Sequence, residues 1–193
     1  MLQVNKNEPD FFTTAKKKVK NQKQSDAWNE ISSIRAEVRE YILTNEQNSM
    51  CAYCEKKTDS NPKKSNIDHF KTRNIHPELT LEYSNLFVSC NNPNHCSSIK
   101  DNLGLKKEDF IKLISPLNNT DENFTYSNTG DILGQNDNAI FTKDAFALNH
   151  ISLVEERKQI IQNFECMKDF TEDELAGAFE SHKSLISYLK KSQ

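Results

Sequence analysis

The sequence predicts an α+β fold that is mainly helical, and two observations carry that prediction. Apolar residues recur at spacings of three and four over residues 25–42, 151–168 and 171–190, which is the period of an amphipathic helix. Shorter stretches at 66–73 and 124–133 are typical of a strand and of a hairpin. The length of 193 residues is that of about one domain and suffices to bury a core.

We expect one compact unit made of three segments. An N-terminal extension and helix (1–48) should pack on a cysteine-rich core (49–104). A C-terminal helical region (105–193) should complete the unit and could dock a partner protein through its acidic helices.

Each element has a local signal in the sequence. Residues 1–13 are predicted to be extended or poorly ordered, and the helical pattern begins at Ser25. In the hairpin, Asn128 to Gly130 supply the turn residues. Thr171 and Glu174 have the spacing of a capping box, which predicts that the last helix begins there.

Composition and charge exclude several classes of protein. The chain has 35% hydrophobic and 27% charged residues, and no apolar run approaches the roughly 20 residues of a membrane span. The N-terminal residues lack the apolar stretch of a secretory signal, so we expect a cytoplasmic protein without a membrane partner. Residues 1–73 carry 14 Lys and Arg against 10 Asp and Glu, whereas the remainder carries 11 against 18. A polyanion should therefore meet the first half of the chain.

The cysteines favour a metal site over disulfides, because five is an odd count and the expected compartment is reducing. Four of them form two close pairs, Cys51 with Cys54 and Cys90 with Cys96. Two such pairs suit a tetrahedral structural Zn²⁺, in which His95 could replace one sulfur. The alternative is a set of free, partly buried thiols. Cys166 lies in a helical stretch and is most simply a core residue.

Chemistry-bearing residues occur in a specific order within about fifty residues. A C-x-x-C pair is followed by Asp68 and His69, then by Asn85, then by the second cysteine pair, and finally by Lys100. Each of these is weak evidence alone, because an Asp-His pair is often a surface hydrogen-bonding pair. In this order they resemble the HNH, or ββα-metal, nuclease motif, in which two strands and a helix are held together by a zinc knuckle.

The resemblance implies a role for each residue. Asp68 would ligate a catalytic Mg²⁺ or Mn²⁺, and His69 would be the general base that activates water. Asn85 would hold the loop that carries the histidine. The basic residues near the motif would contact phosphates; they are Lys71, Arg73 and Lys100. Because neighbouring strand residues point to opposite faces, we expect a bend or a strand end at Asp68 and His69.

One motif position departs from the pattern. HNH proteins with a zinc knuckle commonly have Asn or His directly after the last cysteine as a second metal ligand, and here that residue is Ser97. A serine hydroxyl is a poorer ligand, so either the ion would be held largely by Asp68 and water, with Ser97 at most a weak ligand, or His95 or Asn91 would supply a further ligand. Mg²⁺ keeps several waters and needs few protein ligands.

The similarity extends to a particular family. The segments CAYCEKK, IDHFKTR and LEYSNLFVSC resemble the PtuB family of HNH endonucleases, as do a helix with Trp28, Arg35 and Arg39 before them and ALNHISLVEERKQII after them. These are effectors of Septu antiphage systems and of some retron systems. Membership implies an ATPase partner of the PtuA type. In retron systems it also implies a reverse transcriptase with its RNA–DNA product. The nucleic-acid substrate could be DNA or an RNA such as tRNA, because the HNH motif handles phosphates and does not read bases.

A second class of function fits the same cysteines. A zinc-binding adaptor could hold nucleic acid or a protein without cleaving it, and Ser97 is the feature that favours this alternative. The adjacent Asp68 and His69 argue against it, since a binding module has no chemical need of them together. A hydrolase with catalytic zinc would need a helical pattern such as H-E-x-x-H, which the sequence lacks.

Overall fold

Helices and two small antiparallel sheets make up the computed structural model, which describes residues 1–19, 24–118, 121–167 and 169–192. The helices in these ranges are α1 (Asp10–Val19), α2 (Gln24–Glu30), α3 (Arg35–Asn45), α4 (Ser97–Asn102), α5 (Asp137–Ala145), α6 (Ile151–Glu165), α7 (Glu172–Ala178) and α8 (Lys183–Lys191). The strands are β1 (Ser65–His69), β2 (Leu86–Cys90), β3 (Phe124–Tyr126) and β4 (Ile132–Gly134). The predicted α+β class is confirmed.

The sheet of β1 and β2 lies between two hydrophobic cores. The strands pair antiparallel, with Asp68 opposite Phe87 and His69 opposite Leu86. Because side chains alternate along a strand, Leu86 and Phe87 belong to different cores. Burial on both faces explains why the segment around Phe87 is a continuous apolar run and not an alternating one.

The N-terminal helices cover one face of this sheet. Phe12, Trp28, Val38 and Ile42 form a core there with Leu86. The helix predicted from residue 25 to 42 is interrupted: α2 ends at Glu30 and a 3₁₀ turn precedes α3. The turn contains two serines, which favour non-helical hydrogen bonding.

The prediction of an extended N-terminus is wrong beyond residue 9. Helix α1 begins at Asp10. The residues before α1 are packed against the protein. Met1, Leu2 and Val4 are buried in the core on the face of the β1–β2 sheet opposite to the N-terminal helices. The backbone N–H of Val4 donates to the carbonyl of Pro116 at 2.7 Å.

The C-terminal region forms the larger core. The hairpin of β3 and β4 is confirmed, and so is the capping box of Thr171 and Glu174 at the start of α7. The prediction of a single helix over 171–190 is wrong, because α7 ends at Ala178 and α8 begins only at Lys183. Between them His182 has a φ of 53° and donates its backbone N–H to the carbonyl of Glu55. Cys166 is exposed and is not a core residue as predicted.

The three predicted segments contribute to one shared core. Met1, Cys51, Phe146 and Ile186 all belong to it, although they come from different segments. Within the described ranges, no helix combines the length and the apolar character that crossing a bilayer requires.

Candidate functional site

Four cysteine sulfurs converge beside the central sheet. Cys51 and Cys54 lie in the turn that the isolated bridge between Met50 and Lys57 closes, and Cys90 ends β2. The Sγ atoms of Cys51 and Cys96 are 3.7 Å apart, those of Cys54 and Cys90 are 3.8 Å apart, and all four lie within 4.8 Å of one another. Four sulfurs placed tetrahedrally at about 2.3 Å from a Zn²⁺ would be separated by about 3.8 Å. The cluster can therefore bind a metal ion such as zinc.

The donor chemistry agrees with that geometry. Burial raises the pKa of the Cys54 and Cys96 thiols, while hydrogen bonds from the other three sulfurs lower the pKa of Cys90. Zn²⁺ binds cysteine in its thiolate form, so a bound Zn²⁺ would stabilise all four cysteines as thiolates.

Two residues expected to help at a catalytic ion lie beside this cluster instead. The Nδ1 atom of His95 is 3.0 Å from the sulfur of Cys96. The hydroxyl of Ser97 lies 2.9 Å from that of Ser89, and Ser97 is buried. Neither His95 nor Ser97 lines the cleft that contains Asp68, so their positions lend no support to the role of catalytic-metal ligand expected for them.

The cleft opens where β1 ends and has a volume of about 370 Å³. Its polar lining comes from β1, the loop after it and α4: Asn66, Asp68, His69, Arg73, Lys100 and Asp101. His69 is the last residue of β1, so the predicted strand end is confirmed. Asp68 contacts Tyr53 on one side of the sheet and His69 contacts Trp28 on the other, yet both line the cleft because the strand stops there.

His69 is held as a neutral imidazole. Its Nε2 atom lies 2.9 Å from the carbonyl oxygen of Thr80, and since a carbonyl only accepts, Nε2 carries the hydrogen. The ring packs edge-to-face on the indole of Trp28, with centroids 4.6 Å apart. Burial lowers the pKa of His69 to about 4. Nδ1 therefore carries a lone pair at neutral pH and can accept a proton.

Asn85 fixes the loop that follows His69. Its side-chain oxygen accepts from the backbone N–H of Lys71 at 2.8 Å, and its amide donates to the carbonyls of Lys71 and Leu79 at 3.0 and 3.3 Å. Its backbone carbonyl also accepts from the N–H of Phe70. Through these hydrogen bonds Asn85 holds the loop that begins after His69 against the end of β2. The side chain of Lys71 lines a neighbouring groove and not the cleft.

Asp68 is paired with a buried lysine. The ammonium of Lys100 lies 2.9 and 2.8 Å from the two carboxylate oxygens of Asp68, and the hydroxyl of Tyr53 donates to the same carboxylate. Lys100 is only 1% exposed. The predicted contact of Lys100 with a phosphate would require this buried ion pair to open.

Two arginines flank Trp28 near the cleft. The guanidinium carbons of Arg35 and Arg73 lie 4.8 and 5.9 Å from the centre of the Trp28 ring. Burial and the neighbouring charge of Arg73 lower the pKa of Arg35. Two cations that repel each other beside a polar cleft form a site that favours an anion. Arg35 was not predicted as a site residue, although its position seven residues after Trp28 is the spacing of one helical face.

The fold and the cysteine cluster define this chain as an α+β protein able to bind a metal ion. Its sequence is similar to the Septu protein PtuB of Bacillus thuringiensis, with 27% identity over 132 residues that cover 61% of this chain and 49% of that protein. The chain thus spans about half the length of the curated relative it matches. This similarity agrees with the family resemblance found in the sequence motifs. No protein-family model matches the chain.

Proposed function

We propose that the cleft hydrolyses phosphodiester bonds of nucleic acid and that His69 is the general base. The observation that carries this proposal is the neutral, oriented imidazole of His69 at the mouth of a cleft flanked by cations. The order of two strands, a zinc knuckle and a helix, which the HNH resemblance implies, supports the proposal.

The chemistry follows from the placement of the groups. Nδ1 of His69 takes a proton from water, whose oxygen attacks phosphorus in line with the 3′ oxygen. The bond from phosphorus to the 3′ oxygen breaks, that oxygen takes a proton from solvent and becomes a 3′ hydroxyl, and the downstream fragment retains the phosphate on its 5′ end. Arg73 and Arg35 bind the non-bridging oxygens of the scissile or a flanking phosphate. Asn85 keeps the histidine loop in place during the reaction.

A catalytic Mg²⁺ or Mn²⁺ at Asp68 does not fit this arrangement. Both carboxylate oxygens of Asp68 already accept hydrogen bonds from Lys100, and the hydroxyl of Ser97 is hydrogen-bonded to that of Ser89. The mechanism above therefore uses protein groups alone.

Similarity to a Septu protein suggests a role in antiphage defence. In that setting the chain would cut nucleic acid, DNA or an RNA such as tRNA, and an ATPase partner of the PtuA type would regulate it. A retron setting would add a reverse transcriptase with its RNA–DNA product. We assign partner docking to the C-terminal helices, of which α7 is acidic whereas α8 carries three lysines and no acidic residue.

A zinc-binding adaptor is the second candidate function. It is favoured by the same pairing of Asp68 with Lys100, because a purely structural ion pair needs no substrate. The two candidates differ in one observable: an adaptor binds nucleic acid or protein and leaves it intact, whereas the nuclease cuts.

The arginine pair predicts a salt-dependent loss of affinity. We expect Arg35→Gln and Arg73→Gln each to weaken binding of nucleic acid and to reduce the slope of log K against log salt by about 0.7 to 0.9, the effect of one lost phosphate contact. Fluorescence anisotropy with labelled single-stranded and duplex DNA and with tRNA would measure it. Lys57→Gln is the control, since Lys57 pairs with Glu180 away from the cleft. Equal slopes in all four proteins would contradict the arginine assignment.

The pH dependence of cleavage provides a second test. His69 acts as a base only when deprotonated, and burial together with the charges of Arg73 and Lys100 lowers its pKa to about 4, although Thr80 and Asp68 oppose that shift. The basic form is therefore fully populated down to about pH 5, whereas an imidazole with the usual pKa of about 6.5 would lose activity below pH 6.5. We expect kcat/KM to be level between about pH 5 and pH 8. A tenfold loss per pH unit below 6.5 would contradict the burial of the base.

A further inference from the structure

The environment of the Lys100 ammonium is a cage of oxygens. Besides the two oxygens of Asp68, it contacts the backbone carbonyl of His69 at 2.8 Å and that of Phe70 at 3.2 Å. A carboxylate oxygen of Asp101 lies 3.2 Å away. Five oxygens from the end of β1, the loop after it and α4 thus surround one nitrogen.

Such a set of ligands is what a hard cation requires. Mg²⁺, Mn²⁺ and Ca²⁺ bind carboxylate and carbonyl oxygens, usually from several segments of the chain. Here the distances of 2.8 to 3.2 Å are those of N–H···O hydrogen bonds. The site is built for positive charge, and a lysine side chain supplies that charge.

Displacement of this ammonium would be unfavourable. The Lys100 side chain is buried, so leaving the cage would place an unpaired charge in a low-dielectric region. A divalent ion would also have to compete with the hydroxyl of Tyr53, which donates to Asp68 and is itself fully buried. Burial and the charge of Asp68 raise the pKa of Tyr53, so this hydroxyl keeps its hydrogen.

We infer that Lys100 is the resident cation of this cleft and occupies the position at Asp68 that a divalent metal ion would otherwise take. The protein then carries zinc at its cysteines and no second metal at Asp68. This occupancy depends only on the geometry of the cage, and its consequence for cleavage rests on the proposed nuclease function. The consequence is that cutting needs no divalent ion bound to Asp68.

The first test is metal binding by the zinc-loaded protein. Mn²⁺ is titrated up to about 1 mM and free ion is followed by electron paramagnetic resonance, with wild type and Asp68→Asn compared. We expect the two proteins to bind Mn²⁺ equally weakly. One Mn²⁺ bound per wild-type chain at micromolar concentration, and lost in Asp68→Asn, would overturn the inference.

The second test follows the lysine itself and needs no substitution. Native wild type is acetylated with a limiting reagent, and peptide mass spectrometry compares Lys100 with Lys64, which is 62% exposed. We expect Lys100 to react at least about 10-fold more slowly, with or without Mg²⁺, because a buried and paired amine reacts only after local opening. Rapid labelling of Lys100, or labelling that appears only when Mg²⁺ is added, would overturn the inference. Neither test involves cleavage, so both results stand even if the chain cuts no substrate tried.

Discussion

We expect His69→Gln to lower the rate of the proposed cleavage by about 10² to 10⁴-fold, the usual contribution of a general base, and to leave the zinc content unchanged. Glutamine suits the test because its amide can still donate to the carbonyl of Thr80, as Nε2 of His69 does, while it has no nitrogen that accepts a proton. Single-turnover cleavage of end-labelled nucleic acid measures the rate, and mass spectrometry measures the zinc.

His69→Ala should lose cleavage to the same extent and be less stable. Alanine leaves a cavity beside Trp28 and an unpaired carbonyl at Thr80, which together cost about 2 to 4 kcal/mol. The control is His150→Asn, because His150 caps α6 outside the cleft and asparagine is also a good cap. A His69→Gln protein that cuts at the wild-type rate would show that another group is the base.

Cys54→Ala has the largest expected effect on stability. Binding of Zn²⁺ by four cysteines contributes folding free energy on the order of 10 kcal/mol, so we expect loss of zinc and loss of the cooperative thermal transition. Thermal unfolding followed by circular dichroism, with zinc measured on the same sample, provides the test. The matched control is Cys166→Ala, because Cys166 is exposed and lies outside the cluster. A folded Cys54→Ala protein with one zinc per chain would contradict the assignment of the ligands.

Local patterns in the sequence predicted the elements whose signals are local. The hairpin at β3 and β4, the capping box at Thr171 and most of α6 depend on neighbouring residues, and each is present. The break at His182 could not be predicted in the same way, because its N–H donates to the carbonyl of Glu55, which is distant in sequence. A tertiary contact there outweighs the helical periodicity.

In the candidate site, too, some features were predictable from local sequence patterns and others depend on tertiary contacts. The four cysteines and the pair of Asp68 and His69 were identifiable from spacing and order, and the structure brings each set together as expected. The pairing of Lys100 with Asp68 was not, because it joins residues 32 positions apart through the packing of α4 against β1. Spacing along the sequence indicates which residues belong to one motif. It does not show which of their charges form an ion pair in the folded protein.

The most direct test of the nuclease proposal is cleavage of plasmid DNA and of total tRNA by wild type and His69→Gln. Each protein would be assayed alone and with a co-expressed ATPase partner, in buffer freed of divalent ions and in buffer with Mg²⁺ or Mn²⁺. We predict that wild type cuts one substrate class and leaves 5′ phosphates, and that His69→Gln is inactive under every condition. Intact substrate with zinc-loaded wild type under all conditions, together with measurable nucleic-acid binding, would contradict the nuclease account and support the adaptor.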